Sequence, residues 1–344
     1  MKVAIVHEEV TEGYPDTEDV LEEIGLITES LSKLDYDYSI FQINDCKSIR
    51  SGRDVFNLSN VLSSMLSWFE AYNPDVIFNM VEGNKNTARL FPALTAFFEL
   101  TGLPVTGSPY DVLSTTTDKV LAKSLMMANC VQTPPAQVYA GRDVEVVVGF
   151  PCIVKPSLED GSVGIDDNCV VYDEGQLNIV LRTMYQRHNR QRLLIEQYIK
   201  GREFNVSIIE REEGIPEAFP VAEILFNNWP VDKPRIVSYK AKWDEGSFEY
   251  DNTPRMFNAE DVPLKQMKEL ALRCWDIFSL RGYARADLRM DISGNLHVIE
   301  INANPCIAHW SGFVAAAKEH GYSEVDVIRM IIDAALQFIG KALP

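Results

Sequence analysis

The sequence predicts an α/β protein that becomes α+β towards its C-terminal end, and three observations carry that reading. Up to about residue 108, short apolar strands alternate with helical stretches, as in a βαβ arrangement built on a parallel sheet. Between Thr117 and Glu196 a helix, a strand, a glycine-containing loop, a second helix and a second strand follow one another. The remainder holds several strands, a long helix, a β-hairpin and a final helix, with no internal repeat and no low-complexity segment beyond Thr115-Thr-Thr117.

In order, the elements are a strand at Val3–Val6, a helix around Val20–Leu34, a strand at Tyr38–Ile43, a helix near Asn60–Tyr72 and a strand at Val76–Met80. A helix at Leu90–Leu100 and a short strand at Leu103-Pro-Val-Thr-Gly107 come next. The polar stretch Ser108–Thr117 then reads as a boundary. A helix from Thr117-Asp118-Lys119 runs to Asn129, Pro134 and Pro135 end local order, and Cys152–Lys155 forms a strand. A helix at Glu174–Arg187 and a strand at Leu193–Glu196 complete the middle. Strands at Phe204–Ile209, Ala218–Leu225 and Ile236–Lys240 precede a helix at about Pro263–Leu280, the hairpin, and a helix at about Val325–Ile339. The expected domains are 1–108, 109–199 and 200–344.

With 344 residues, 46% apolar and 24% charged, the chain has an ordinary globular composition. Its net charge of −18 argues against binding a nucleic-acid backbone, so a nucleotide would need a local cationic site. The six cysteines show no Cys-x-x-Cys pair, which suits reduced thiols in a cytoplasmic protein. No stretch reads as a secretory core or a membrane span.

The hairpin is the richest segment: Arg285-Ala-Asp-Leu-Arg-Met-Asp291, a Ser293-Gly294 turn, and Leu296-His-Val-Ile-Glu-Ile-Asn302. If Ile292 pairs with Asn295, Asp287 faces Glu300 and Arg285 faces Asn302. Two carboxylates across a ladder repel unless a cation lies between them, and with an amide oxygen they form a ligand set that Mg²⁺ prefers. The same alternation also fits the solvated face of an amphipathic hairpin, with Ala286, Leu288, Met290, His297, Ile299 and Ile301 turned inward. Lys155 ends an apolar strand before Pro-Ser-Leu-Glu-Asp-Gly161-Ser162-Val-Gly164, a loop that suits phosphate or is a surface turn beside an incidental lysine. Leu194-Ile-Glu196-Gln197-Tyr-Ile199 and Gly201-Arg-Glu203 could hold a purine edge and a ribose, or be two edge strands with exposed acids.

Taken in order, Lys119, Lys155, Glu196, Glu203, Asp287, Glu300 and Asn302 resemble the ATP-grasp ligases. With Asp75-Val-Ile-Phe-Asn79, Gly102-Leu-Pro-Val-Thr-Gly-Ser108 and Glu300-Ile-Asn302-x-Asn304-Pro305, the chain is more closely similar to the D-alanine–D-alanine ligase family over nearly its whole length. The resemblance implies an ATP-grasp fold after a Rossmann-like N-terminal domain, a homodimer, and ATP-dependent joining of a carboxylate to an amine through an acyl phosphate. It implies that Lys119, Lys155 and Lys242 bind ATP phosphates, that Glu196, Gln197 and the backbone near Ile199 hold adenine, and that Glu203 holds ribose. Asp287, Glu300 and Asn302 would bind Mg²⁺, or Mn²⁺, and Arg285 would stabilise the acyl phosphate.

The substrate end departs from the family pattern. Glu82, in Val81-Glu82-Gly83-Asn-Lys-Asn-Thr-Ala-Arg89, stands where a histidine is usual. Ser162 sits in a Glu159-Asp-Gly161-Ser162 loop, Trp243 replaces a tyrosine, and Cys306 replaces a glycine. Glu18 is the match for the glutamate that grips the first substrate's amine, or an acid at a helix start. Ser311 and His309 are candidate substrate contacts. The expected activity is a carboxylate–amine ligase with small-molecule substrates. A nucleotide-binding protein without ligase activity, or a ligase with a peptide or tethered acceptor, stays open.

Overall fold

The computed structural model describes residues 1–10, 13–43, 55–82, 90–142 and 145–338. Residues 83–89 of the substrate segment, Cys46 and the expected helix end at Ile339 lie outside the described residues.

Strand β1 (Lys2–Glu8) lies between β2 (Asp37–Ile43) and β3 (Val76–Met80), and both pairings are parallel. Helices α1 (Pro15–Lys33) and α2 (Val55–Tyr72) make the crossovers, and α3 (Leu90–Leu100) follows β3. Alternation divides β1 between two cores. Val3 and Ile5 pack with Ile24, Leu26 and Ile27 of α1, whereas Ala4 and Val6 pack with Met65 and Phe69 of α2. Helix α1 starts five residues before the expected Val20, because Pro15 is pre-set for a first helical turn and Asp16 and Glu18 sit at the positive end of the dipole.

The expected strand at 103–107 is reduced to a single parallel bridge between Ile77 and Val105. The polar stretch after it is a helix, α4 (Tyr110–Thr117). Its threonines do not break it, since Thr115 and Thr116 return their hydroxyls to the Asp111 and Val112 carbonyls. Helix α5 (Lys119–Ala128) begins at once, capped by the Asp118 carboxylate, which accepts from the Val120 and Leu121 N–H groups.

Four antiparallel strands make the second sheet in the order β4 (Ala136–Tyr139), β7 (Leu193–Gln197), β5 (Cys152–Pro156) and β6 (Val170–Val171). Helix α6 (Glu174–Arg187) packs on this sheet, with Leu177 and Leu181 in its core. Strand β4 is missing from the sequence reading because Pro134 and Pro135 lead into it rather than interrupt it.

The third sheet contains β8 (Gly201–Glu210), β9 (Pro216–Ala218), β10 (Ala222–Ile224), β11 (Arg255–Phe257), β12 (Tyr283–Asp291) and β13 (Leu296–Asn302), with β8 and β12 central. The expected strand at 218–225 splits into β9 and β10, with Pro220 between them. No strand forms at 236–240. Instead Tyr239–Trp243 is a short helix, α7, whose Ser238 cap accepts from the Ala241 N–H. A further short helix, α8 (Phe248–Asp251), follows, and α9 (Leu264–Phe278) covers the sheet. Gly201 has φ +155°, and a Cβ there would lie 1.9 Å from the Met290 carbonyl oxygen, so only glycine lets β8 start against β12. Helix α10 (Gly312–His320), which the sequence reading lacks, leads to α11 (Glu324–Phe338). Val327, Ile331 and Ile332 of α11 return to the core built on Val3 and Ile5, tying the C-terminal end to the first sheet.

Candidate functional site

In the β12–β13 ladder Arg285 faces Asn302 and Asp287 faces Glu300, as the alternation predicts. The turn, however, pairs Asp291 with Asn295, one residue out of step, and a bulge after Asp287 restores the register. The charged face is not solvated, since Asp287 and Arg289 are only 6% and 4% exposed. Asp287 accepts from Arg285 Nε and Nη2 at 2.7 and 2.8 Å, from Asn205 Nδ2 at 2.7 Å and from Asn302 Nδ2 at 3.1 Å. Glu300 pairs with Lys119 Nζ at 2.5 Å, and Lys119 also donates to Asp160 at 2.9 Å. Each carboxylate thus has its own cation, which removes the cross-strand repulsion. Burial opposes charge on Lys119, yet Asp160 and Glu300 outweigh it and raise the lysine's pKa. Because Asn302 turns its Nδ2 to Asp287, its amide oxygen joins the Asp287 and Glu300 carboxylates in a hard oxygen donor set that fits Mg²⁺ or Mn²⁺.

A cavity of about 590 Å³ opens between the second and third sheets, lined by Lys119, Lys155, Gln197, Ile199, Glu203 and the hairpin acids. Lys155 ends β5 and donates to Glu196 Oε1 at 2.9 Å, while Lys123, one turn beyond Lys119, lies 2.8 Å from Oε2. Burial disfavours the Glu196 carboxylate, but the two ammonium groups hold its pKa at about 2. Both its oxygens are therefore committed to lysines. It lines the same cavity and holds Lys155 in place there. Glu203 is 8% exposed, with Arg289 Nη2 at 3.5 Å; burial raises its pKa and Arg289 works against that rise. The Gly161 loop closes one side of the cavity. Trp243 Nε1 donates to the Gly161 carbonyl at 2.8 Å, and Ser162 donates to the Val237 carbonyl at 2.7 Å.

A second cavity of about 120 Å³ shares Lys242, Arg285, Asn302, Asp160, Gly161 and Cys306 with the first. It sits at the carboxyl ends of β1 and β3, where Glu8, Met80 and Glu82 reach it, the usual place for a ligand in an open parallel sheet. Asp19 and Cys306 line it too. Lys242 lies between the cavities with its ammonium 4.7 Å from the Trp243 ring centre. Burial, and then Asp19, pushes the Glu82 carboxyl up to about 7, against the opposing pull of Lys242. Ser311 reaches the larger cavity while its oxygen caps α10 by accepting from Val314 N–H. Two candidates are not brought in. Glu18 lines neither cavity and accepts from Gly13 N–H at 2.7 Å, and His309 is exposed and bound to Glu324 at 2.9 Å.

The family model described as D-ala D-ala ligase C-terminus matches residues 127–333. The chain belongs to the D-alanine–D-alanine ligase family. An uncharacterised protein of Sinorhizobium fredii is 31% identical over 261 residues, covering 76% of this chain and 74% of that protein. The D-alanine–D-alanine ligase of Thermotoga petrophila is 26% identical over 309 residues, 90% of each chain. The crystal structure of the Bacillus anthracis D-alanine–D-alanine ligase complexed with ATP superposes with a TM-score of 0.74 at 19% identity, covering 99% of both chains, so the fold is ATP-grasp. The Coxiella burnetii D-alanine–D-alanine ligase gives 0.72 at 17% identity, over 99% of this chain and 95% of that one. Membership makes this an ATP-dependent, ADP-forming carbon–nitrogen ligase that works on small molecules. No described helix is long and apolar enough to cross a membrane.

The structure also places at the two cavities several residues that the sequence pattern did not single out. Lys123 stands four residues after Lys119 on one helix face, a spacing that could have revealed it. Asn205 and Arg289 lie on the Asp287 side of β8 and β12, and Arg289 continues the alternation of Arg285 and Asp287. Asp19 and Glu23 replace Glu18 as the acids of α1 that turn towards Cys306.

Proposed function

We propose that this chain activates a small amino acid or related carboxylate with ATP and joins it to an amine, releasing ADP and phosphate. The observation that carries this reading is the shared wall of the two cavities. Lys242, Arg285 and Asn302 border both, so the phosphate end of a nucleotide in the larger cavity would meet a carboxylate held in the smaller one. The carboxylate oxygen attacks the γ-phosphorus as the bond to the bridging oxygen of ADP breaks. The amine nitrogen then attacks the acyl carbon, phosphate leaves with the former carboxylate oxygen, and the nitrogen gives up a proton.

Lys119 and Lys155 are the phosphate-binding groups in this reading, and Glu300 and Glu196 hold their ammonium groups in place. Arg285 would neutralise charge on the acyl phosphate and on the oxyanion of the tetrahedral intermediate. Asp287, Glu300 and Asn302 would hold Mg²⁺, which offsets charge on the β- and γ-phosphates. The Gly161 loop, latched by Trp243, would exclude water that could hydrolyse the acyl phosphate.

The test is ADP and phosphate release with Mg-ATP against D- and L-amino acids, singly and in pairs, with mass spectrometry of products. D-alanine is the first substrate to try, from the relatives' names. A matching amide from a defined pair is expected. ATP binding without turnover for any pair overturns this assignment of amino acids as the substrates.

A further inference from the structure

The small cavity sets more than one buried carboxyl group around a bound substrate. Asp19 is 6% exposed, and its Oδ1 has no hydrogen-bond partner although the residue lines the cavity. Behind it Glu23 is 1% exposed; Oε1 accepts from the Ile307 N–H at 2.5 Å and Oε2 has no partner. The ligand atoms of Asp19, Glu23 and Cys306 lie within 4.8 Å of one another, and Glu82 borders the same space. Other acids nearby are already engaged, Asp16 by the Tyr239 hydroxyl at 2.5 Å and Asp160 by Lys119. Of the two cations that line the cavity, Arg285 is paired with Asp287, and the Lys242 ammonium also lies over the Trp243 ring.

A buried carboxylate without a counter-charge is costly, and the cost is recovered when a cation binds. The α-ammonium of an amino acid supplies one positive charge, which satisfies one of Asp19, Glu23 and Glu82. We infer that the small cavity selects a carboxylate substrate with two cationic nitrogens, a diamino acid. Members of this class are 2,3-diaminopropionate and 2,4-diaminobutyrate.

This inference rests on the ligase reading, so its test isolates the first half-reaction. Hydroxylamine replaces the amine substrate, attacks the acyl carbon, expels phosphate and leaves a coloured hydroxamate, whatever the natural acceptor is. With Mg-ATP, the donors compared are both enantiomers of alanine, serine, 2,3-diaminopropionate, 2,4-diaminobutyrate and lysine. A diamino acid with a kcat/KM at least about tenfold above alanine is expected, since a site built around a polar group discriminates strongly against an analogue lacking it. The near-isosteric changes Asp19→Asn and Glu82→Gln should each shrink that ratio about tenfold. Hydroxamate formed equally well from alanine or serine, or a ratio unmoved in both variants, overturns the inference and leaves the ligase reading standing. No hydroxamate and no ADP release from any donor overturns both.

Discussion

In the larger cavity each buried acid of the site has a cation against it: Glu196 has Lys123 and Lys155, Glu300 has Lys119, Asp287 has Arg285, and Glu203 has Arg289. In the smaller cavity Asp19 and Glu82 share the neighbourhood of Lys242, and Glu23 lies behind Asp19. All these acids lose hydration, yet Glu196 is held at about 2 while Glu82 rises to about 7. Burial is common to the two regions, so the neighbours decide the sign. One region is charge-balanced by the protein itself and is built for a ligand that displaces few internal partners. The other draws its balance from the ligand.

The sharpest way to break the balanced region is to remove one member of a pair. Lys155→Ala or Glu300→Ala should lower kcat by at least about 10²–10³, as for other groups that stabilise transition-state charge. Near-normal turnover in both variants would remove these residues from the chemistry. Glu196→Gln separates stability from chemistry, because it leaves Lys123 and Lys155 buried without their counter-charge. A loss of about 3–5 kcal/mol in urea unfolding is expected.

The pH dependence of stability should run in opposite directions in the two regions. The Glu196 pKa is depressed from 4.5 to about 2, so its contribution is complete above pH 4.5 and is lost as pH falls towards 2. The Glu82 pKa is raised from 4.5 to about 7, so the folded state keeps a proton there that the unfolded state releases. Its contribution is present below pH 4.5 and is lost as pH rises to 7. Denaturant unfolding between pH 4.5 and 8 should therefore show a downward slope that Glu82→Gln flattens. An unchanged slope would mean that Glu82 is not held protonated.

How much of this was legible depended on whether a residue's place follows from local pattern. The facing of Asp287 with Glu300 and of Arg285 with Asn302 was legible because strand alternation fixes which side chains share a face. The Asp291–Asn295 turn carries its marks in Asp291, which accepts from the Ser293 and Asn295 N–H groups, and in Gly294 at φ +86°, whereas no residue type marks the bulge after Asp287 that offsets it. The place of Asp19 was not legible for a related reason. With the helix start set at Val20, the phase of α1 was unknown. Once it begins at Pro15, Asp16, Asp19 and Glu23 follow at i, i+3 and i+7 on the face that meets Cys306, and Glu18 turns away. Helix α10 and strand β4 were lost to short lengths and flanking prolines, where tertiary packing decides more than propensity does.

The latch between the two regions offers a smaller effect. Trp243→Phe keeps a ring beside Lys242 but removes the N–H that holds the Gly161 carbonyl. One neutral hydrogen bond is worth about 0.5–1.5 kcal/mol, so a rise of up to about tenfold in uncoupled ATP hydrolysis is expected, with ATP affinity little altered. Uncoupled hydrolysis at the original level would mean that the indole only packs.

The weakest effect belongs to residues that look like site members in sequence and stand outside in the fold. His309 follows the hairpin by only seven residues, yet its imidazole is 2.9 Å from Glu324, which Lys318 also holds at 2.7 Å. Removing His309 leaves Glu324 with a lysine partner, so no uncompensated charge is created. His309→Ala should cost less than about 1 kcal/mol, the value of an exposed ion pair, and should change kcat/KM by less than about twofold. A loss of tenfold or more at constant stability would bring His309 back to the substrate. It would then require the segment from Cys306 to Ser311 to turn inward during turnover, against the hold of Glu324.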